Sequence, residues 1–414
     1  MEQEAAQRLV AEAAREVRRG ASAEGTSGSH VVKLVNAILD TALAENATDI
    51  HLEPMGGRLR IRMRVDGLLR ERPIQFPTAL APVIIARLKV MAGLDTAKRN
   101  RPQDGQIRYR MGERSIDMRV AVLPVVDGER MVVRIMDAAE RFLGCAELGF
   151  TPRNQELFER LIRRPTGLLL LCGPMNSGKT TTLYAALSAL NDASCHIMTL
   201  EDPVERRIEG ISQFQVNPEA GLTFVAGLRA ALRQDVQKIL LGEIRDRETA
   251  EMAVRIALTG HALFSTLHTE DTVSAVFRMI EMGVPPYLLA ATLSGVIAQR
   301  LVRRVCAHCA EKYTPLPGSH EATLLGDAFH EDMTLVRGRG CAHCHGSGYH
   351  GRMAIHEVLP VSERLRETIL QGKGKDALRR AAEEDGVLTL RQDGIAKVLA
   401  GETTPEEVGR ALYG

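Results

Sequence analysis

The chain has 414 residues, of which 45% are hydrophobic and 25% are charged, an ordinary composition for a globular protein of about two to three domains. Its formal net charge is +1 and aromatic residues make up 4%, which argues against a nucleic-acid surface built from positive charge and stacked rings. The chain lacks a long apolar run and the apolar core of a secretory signal. We therefore expect a cytoplasmic protein without a direct membrane span.

The N-terminal segment, residues 1–29, predicts a short helix and a linker. Apolar residues recur at helical spacing over residues 8–17. Glycine, serine and threonine then dominate residues 20–29, which is typical of a flexible connection.

Residues 30–140 predict a small α+β domain. Val31, Val35, Ile38 and Ala42 mark one face of a helix. Apolar residues and arginines alternate over residues 58–65, which predicts a half-buried strand, and Asp66-Gly67 predicts a hairpin turn. A helix over residues 78–91 and strands over 114–123 and 130–136 complete the domain.

Residues 141–304 predict an α/β domain with a parallel sheet. Apolar runs alternate with helical patterns in this segment. The expected strands cover residues 167–172, 196–200, 239–241 and 262–267, and the expected helices cover 246–258 and 271–282. Residues 305–350 carry paired cysteines, and residues 351–414 predict a helical tail with an N-cap at Thr404, a proline at N1 and a capping-box glutamate at position 407.

The segment 173–180 matches the phosphate-binding pattern G-x4-G-K-[ST] and lies between a predicted strand and a predicted helix. Backbone N–H groups and the helix N-terminus would bind the phosphates of ATP, Lys179 would reach the β- and γ-phosphates, and Thr180 would bind Mg²⁺. The alternative is a chance glycine loop. The predicted nucleotide-binding residues are Gly173, Pro174, Met175, Asn176, Ser177, Gly178, Lys179, Thr180 and Thr181.

Acidic residues follow two of the predicted strands. Glu243 ends the run at 239–241, where it could polarise the attacking water, or lie solvated at a strand end. Glu201 opens an acidic cluster, residues 201–205, that could hold Mg²⁺ through water; the alternative is a helix cap or a turn, since Asp202-Pro203 is turn-prone. His261 and His268 flank the run at 262–267, and their spacing alone does not assign them a role.

Cys306, Cys309, Cys341 and Cys344 form two C-x2-C pairs. Four thiolates in this pattern can close a tetrahedral structural Zn²⁺ site, and four reduced surface thiols are the alternative. His308, His343 and His345 are possible competing ligands.

Over residues 30–412 these ordered motifs resemble the type II secretion and type IV pilus assembly ATPases, the GspE/PulE family. Beside the phosphate loop, residues 199–205 resemble the family's Asp box, 239–246 its Walker B motif and 260–269 its His box. Residues 47–54, 87–95 and 102–105 resemble its domain before the motor.

The resemblance implies a PAS-like domain followed by a RecA-like motor. It also implies a homo-oligomer, a hexameric ring, that works on an inner-membrane platform protein. It makes Glu243 the catalytic glutamate and His268 a sensor of the γ-phosphate, and it places Glu201 in the Asp box. It implies that arginines reach the γ-phosphate across a cleft: Arg119 and Arg134 from the first domain, Arg229 and Arg233 from the motor, and, as a weaker match, Arg352.

The sequence departs from the family pattern in three places. Met175 and Asn176 replace Thr-Gly in the phosphate loop, and Val236 and Gln237 replace Pro-Asp before Walker B. About thirty residues precede the first predicted domain, so we expect the extended N-terminal domain of many members to be absent.

The function expected from the sequence is ATP hydrolysis that powers pseudopilus or type IV pilus assembly. A RecA-like motor on nucleic acid and a scaffold that binds ATP but hydrolyses it weakly are the alternatives. A pilus retraction motor is a related possibility, and the four cysteines favour assembly.

Overall fold

The structure is a computed structural model that describes residues 2–18, 29–74, 76–136 and 143–413. The chain forms two compact units, residues 1–141 and 142–414. The further division of the second unit at residues 304 and 350 stays a prediction. Most of the expected linker at 20–29 lies outside the described residues.

The first unit is a mostly antiparallel sheet with helices packed on its apolar face. The strand order is β3-β2-β1-β7-β6-β5, with β4 paired to β2. Strict alternation buries Leu59, Ile61 and Met63 of β2, and its arginines lie on the opposite face. The elements are α1 (Glu2–Arg18), α2 (His30–Ala44), β1 (Asp49–Met55), β2 (Arg58–Val65), β3 (Leu68–Glu71), β4 (Phe76–Pro77), α3 (Ala81–Met91), β5 (Gln103–Met111), β6 (Arg114–Val125) and β7 (Gly128–Met136).

Most predicted elements of this unit are confirmed. The strand expected at 58–65 has those bounds, and Asp66 and Gly67 adopt φ of 50° and 84°, as a tight hairpin requires. The N-terminal helix is longer than expected. Its Val10, Ala13 and Ala14 are buried in the same core as α2, so this helix belongs to the first unit.

The second unit is built on a seven-stranded sheet of order β10-β9-β11-β12-β8-β13-β16. Neighbouring strands from β10 through β13 run parallel, and β16 is antiparallel to β13. Residues Leu168–Cys172 of β8 are buried, as expected for a central parallel strand covered on both faces. Because the parallel strands end at one edge of the sheet, residues that follow them are brought together there.

The elements of the second unit follow in chain order. Its helices are α4 (Pro152–Ile162), α5 (Lys179–Leu190), α6 (Phe224–Ala231), α7 (Arg247–Leu258), α8 (Thr272–Glu281), α9 (Pro286–Thr292), α10 (His320–Leu325), α11 (Glu363–Leu370), α12 (Lys375–Glu384), α13 (Leu390–Leu399) and α14 (Pro405–Tyr413). Its strands are β8 (Gly167–Cys172), β9 (Ile197–Glu201), β10 (Ser212–Gln215), β11 (Lys238–Leu241), β12 (Ala262–Leu267), β13 (Leu293–Val305), β14 (Ala310–Tyr313), β15 (Leu335–Gly338) and β16 (Tyr349–Pro360).

The sequence patterns miss two long strands, β13 and β16. These strands pair with each other from Gly295–Pro360 to Val305–Tyr349 and extend the parallel sheet beyond β8. The expectation of a purely helical tail from residue 351 is therefore wrong for its first ten residues, which belong to β16. Their buried stretches mix apolar residues with Ser294, Gln299, His356 and Glu357, so neither strict alternation nor a continuous apolar run marks them as strands in the sequence.

The expected capping box of α14 is half correct. Thr404 Oγ1 accepts a hydrogen bond from the N–H of Glu407 at 3.3 Å, as predicted. The Glu407 carboxylate instead pairs with Arg303 of β13 at 2.6 Å and with Arg410 at 2.8 Å. Burial opposes ionisation of Glu407, but these hydrogen bonds outweigh it and lower its pKa to about 2. The last helix is thereby tied to the sheet.

A buried polar cluster ties α13 to β16 and α4. The Asp393 carboxylate accepts hydrogen bonds from Lys397 Nζ, from the His356 backbone N–H at 2.9 Å and from Asn154 Nδ2 at 3.2 Å. Lys397 Nζ also donates to the Ala354 carbonyl at 2.7 Å. Because all of these groups lie away from solvent, each depends on its partners for the interactions that water would supply.

We predict that Asp393→Asn destabilises the second unit strongly. The substitution keeps the shape but leaves the buried Lys397 ammonium without a counter-charge, and breaking such a pair costs about 3–5 kcal/mol. Hydrogen exchange at the amides of β16 and α13, together with thermal unfolding, measures the effect. Asp332→Asn, at an exposed turn of the same unit, is the matched control. Equal exchange rates in both variants would contradict the assigned role.

Candidate nucleotide-binding site

The loop between β8 and α5 has the backbone of a phosphate-binding loop. Gly173 and Gly178 adopt φ of 151° and 86°, and Gly178 is the N-cap residue of α5. A Cβ atom at Gly173 would lie 2.4 Å from the Gln299 carbonyl oxygen, and one at Gly178 would lie 2.8 Å from Gln299 Nε2. Both positions therefore require glycine, for conformation and for space.

The departures at Met175 and Asn176 are compatible with this loop. Asn176 adopts φ of 61°, a conformation in which asparagine is the least costly replacement for glycine. The Met175 side chain is 79% exposed, so it takes no part in the packing that shapes the loop.

Lys179 is poised at the start of α5. Its ammonium donates to the carbonyl oxygens of Gly173 at 2.9 Å and Pro174 at 2.8 Å, so it is folded back over the loop. Burial lowers the pKa of Lys179 to about 8, and the nearby Glu243 charge opposes this shift. Thr180 is half-buried and Thr181 exposed on the same first turn of the helix.

Glu243 and His268 come together at the carboxyl edge of the sheet. Glu243 follows β11, His268 follows β12, and the His268 Nε2 atom lies 3.4 Å from the Glu243 carboxylate. The Thr266 hydroxyl donates to the Gly242 carbonyl at 2.8 Å, which fixes the backbone just before Glu243. Arg245 forms an ion pair with Glu243. The sequence analysis did not select Arg245, because its ion pair with Glu243 becomes apparent only in the folded structure.

Glu201 is buried and makes three hydrogen bonds. It accepts from the hydroxyls of Tyr184 and Thr199 and from Gln213 Nε2 at 3.2 Å. Burial and the bond to Glu201 raise the pKa of Tyr184. The donors connect Glu201 to α5 behind the phosphate loop. The predicted role in the Asp box stays a prediction.

The four predicted arginines are divided between the two units. In the second unit, Arg229 pairs with Glu248 at 3.4 Å, and Arg233 Nη1 donates to the Arg229 carbonyl at 2.8 Å. In the first unit, Arg119 and Arg134 are directly opposite each other on β6 and β7, and Arg134 pairs with Asp49 at 3.0 Å. Both of these line an open pocket of about 620 Å³ with Asp104, Gly105, Gln106, Val120, Ala121 and Val132.

The replacement of Pro-Asp by Val236 and Gln237 lies away from the phosphate loop. Val236 is buried in the core, and Gln237 Oε1 accepts a hydrogen bond from the His196 backbone N–H at 2.6 Å. These contacts join the amino ends of β9 and β11, whereas Glu243 follows the carboxyl end of β11. The substitution leaves the strand that positions Glu243 intact.

Two residues beside the loop were missed from the sequence. Gln299 and Arg300 belong to β13, and Arg300 Nη2 donates to the Glu270 carbonyl at 2.9 Å. Burial lowers the pKa of Arg300, whose charge in turn contributes to lowering that of Lys179. These two residues could have been predicted only if residues 293–305 had been recognised as a strand next to β8.

The four paired cysteines converge as expected. Their sulfur atoms all lie within 4.8 Å of one another, and the closest pairs are 3.7, 3.8 and 3.9 Å apart. These separations match the edges of a tetrahedron with metal–sulfur bonds of about 2.3 Å. The backbone N–H groups of Cys341 and Gly348 donate to Cys344 Sγ at 3.2 Å each. The four sulfurs can hold a metal ion.

The histidines beside the cysteines lie outside this set. The rings of His308 and His343 are 4.0 Å apart and His343 also contacts His350, so these imidazoles pack on one another. Among the described residues, the candidate metal-binding group consists of cysteines alone. The segment between the two cysteine pairs forms β14, α10 and β15, and the sequence analysis predicted no elements there.

A phosphate-binding loop at the carboxyl edge of a parallel sheet, with a carboxylate two strands away, defines a P-loop nucleotide-binding protein. A family model described as "Type II/IV secretion system protein" matches residues 24–410. The chain belongs to this family, which confirms the resemblance seen in the sequence motifs.

Named relatives and solved structures agree with this assignment. The chain is 47% identical to Type II secretion system protein E of Pseudomonas aeruginosa, over 92% of this chain and 75% of that protein. It is 45% identical to Type II secretion system ATPase E of Vibrio cholerae, over 94% and 76%. Type IV pilus assembly ATPase PilB of Thermus thermophilus is 43% identical over 91% of this chain and 42% of that protein.

The fold is that of the ATPase DotB of Legionella pneumophila, with a TM-score of 0.69 at 20% identity, covering 91% of this chain and 95% of that one. The expected fold class, an α/β P-loop unit preceded by a smaller α+β unit, is thereby confirmed. No helix in the described parts of the chain is long and apolar enough to cross a bilayer.

We predict that affinity for a nucleoside triphosphate falls as pH rises above about 8. Lys179 binds phosphate only when protonated, and its lowered pKa of about 8 means that the proton is lost there instead of near its ordinary value. Titration with a fluorescent nucleotide across pH about 7 to 10 measures this. Lys179→Arg, which keeps its charge, should flatten the profile. A wild-type affinity that stays constant to pH about 10 would contradict the prediction.

Proposed function

We propose that the protein hydrolyses ATP and uses the energy to power assembly of a pseudopilus or type IV pilus. The observation that carries the proposal is the placement of Glu243, beside His268, at the sheet edge where the phosphate loop begins. The relatives named as secretion and pilus assembly ATPases support the cellular process.

Nucleotide binding would be performed by the loop and the start of α5. Successive peptide N–H groups and the positive end of the helix attract the phosphates. Lys179 would exchange its bonds to the Gly173 and Pro174 carbonyls for phosphate oxygens. The hydroxyl of Thr180 is the candidate ligand for Mg²⁺, which would neutralise charge on the β- and γ-phosphates.

Hydrolysis would be initiated by Glu243. Its carboxylate can accept a proton from a water molecule held near the γ-phosphate, which raises the nucleophilicity of that water. Arg245 now occupies one side of the carboxylate and His268 the other. His268, at 47% exposure, is free to turn toward a bound γ-phosphate, in keeping with the proposed sensor role.

The remaining assignments extend the proposal to the assembly. Arg119, Arg134, Arg229 and Arg233 would stabilise the charge on the γ-phosphate, for which planar guanidinium groups are suited. Glu201 would support α5 from behind through Tyr184. We propose a hexamer that acts on an inner-membrane platform protein, and no role in nucleic-acid binding.

We propose that the ion held by the four cysteines is structural Zn²⁺. The all-sulfur ligand set and tetrahedral spacing favour zinc, and a closed four-ligand site leaves no open coordination position for catalysis. Zinc would join Cys306 and Cys309, just after β13, to Cys341 and Cys344, just before β16. It would thereby connect the two ends of the segment that lies between the paired strands β13 and β16.

Glu243→Gln should retain ATP binding but reduce turnover at least about 100-fold, because the amide cannot accept the proton of the attacking water. Lys179→Ala should weaken binding itself. Phosphate release and nucleotide titration on the purified chain separate the two effects. Glu219→Gln, in the exposed short 3-10 helix Pro218–Ala220, is the matched control and should behave as the wild type. Normal turnover by Glu243→Gln would end the site assignment.

Elemental analysis should find about one zinc ion per chain, and Cys309→Ser combined with Cys344→Ser should remove it. Because the metal links two segments, its loss should increase hydrogen exchange in residues 306–349 more than at the phosphate loop. Cys195→Ser, which removes a half-buried thiol elsewhere, serves as the control. Full zinc content in the double variant would refute the ligand set.

A further inference from the structure

The buried side chain of Gln299 contacts the phosphate loop and helix α5. Its Nε2 atom donates to the Ser177 carbonyl at 2.8 Å, and its Oε1 atom accepts from the Thr182 hydroxyl at 2.8 Å. It is 2% exposed and lies on β13, one residue beyond the pair that Ala298 makes with Cys172 of β8. One amide thus joins the loop and the first turns of α5 to the neighbouring strand.

The bond to Ser177 fixes the direction of a peptide group in the loop. The C=O of Ser177 and the N–H of Gly178 belong to one planar trans peptide, so they point in opposite directions. When the carbonyl is held toward Gln299, the Gly178 N–H is directed away from Gln299. In the proposed phosphate-binding loop, this N–H is one of the backbone groups that would face a phosphate. Rotation of this peptide would turn the Gly178 N–H away and remove one hydrogen-bond donor from the phosphate-binding loop.

The loop has little else to hold that peptide. The Ser177 hydroxyl is buried and makes no hydrogen bond among the described residues, so it does not perform this task. The Gly178 conformation, with φ of 86°, is one that glycine leaves readily unless its neighbours constrain it. The Gln299 main chain adds a steric constraint, because its carbonyl oxygen fills the space in which a Cβ of Gly173 would lie.

We propose that Gln299 is a positioning residue for nucleotide binding: it holds the Ser177–Gly178 peptide in the orientation that presents the Gly178 N–H to the phosphate. This inference rests on the proposed ATP-binding function. Gln299 does not contact the phosphate itself. It acts through the backbone of the loop and through Thr182 on α5.

The test compares two polar side chains of β13, Gln299 and Ser294, which both form buried hydrogen bonds to neighbouring segments. Gln299→Met keeps length and removes both bonds. Ser294→Ala removes the bond from Ser294 Oγ to the Leu168 carbonyl, 2.8 Å long, at the far end of β8 from the loop. Binding of a fluorescent ADP analogue and thermal unfolding are measured on the full chain for both variants.

We expect Gln299→Met to weaken ADP binding about tenfold or more, the penalty for leaving a buried carbonyl unpaired and mobile. Ser294→Ala should bind ADP with an affinity within about twofold of the wild type, although its melting temperature should fall about as much as that of Gln299→Met. In steady-state assays, Gln299→Met should raise KM for ATP more than it lowers kcat. Unchanged binding in Gln299→Met, or equal weakening in both variants, would overturn the positioning role.

Gln299→Glu gives a second readout that a purely structural role would not move. The carboxylate cannot donate to the Ser177 carbonyl, whereas the protonated acid can. Its affinity relative to the wild type at the same pH should therefore recover as pH falls, and a ratio independent of pH would count against the proposal. Failure of the wild-type chain to bind ADP would overturn the proposed function as well, whereas the outcomes above concern Gln299 alone.

Discussion

The phosphate loop depends on how strand β8 ends. This strand lies between β12 and β13 in a parallel sheet, and beyond Cys172 the chain must leave the sheet, reverse and enter α5 within six residues. Positive φ at Gly173, Asn176 and Gly178 makes that path possible. Such a backbone forms few internal hydrogen bonds to its own carbonyl groups. Lys179 of α5 donates to the Gly173 carbonyl instead, and Gln299 of the neighbouring strand donates to the Ser177 carbonyl.

The same neighbouring strand anchors the C-terminal part of the chain. Strand β13 pairs with β16 along most of its length, and its Arg303 is held by Glu407 of α14. Strand β16 in turn supplies Glu357, which accepts hydrogen bonds from Thr272 at the start of α8 and from Leu390 at the start of α13. Burial raises the pKa of Glu357. The phosphate loop, the cysteine cluster and the helices α13 and α14 therefore share one support.

Much of the site could be predicted because its residues lie in short contiguous motifs. Lys179 and the loop glycines are recognisable by their spacing, and the four cysteines by their pairing. The sequence therefore predicts both the phosphate loop and the cysteine cluster. The partners of those residues could not be predicted in this way. Arg245, Gln299 and Arg300 reach the site through a turn or a strand distant in sequence, and no local pattern connects position 299 with position 177. The assignment of Glu407 to a capping box was wrong for the same reason, since a buried arginine on another element binds the carboxylate more strongly.

The sequence by itself determined the change of fold near residue 140, the strands that lead into the phosphate loop, Glu243 and His268, and the residue types at the phosphate loop and the cysteine cluster. These features follow from periodicity, glycine conformation and ligand chemistry, which act over a few neighbouring residues. Only the tertiary structure decided that β13 and β16 complete the sheet, that Glu243 lies beside His268, and which side chains hold the loop in place. Those outcomes depend on which strands become neighbours, and strand pairing is fixed by burial across the whole sheet and not by any local segment.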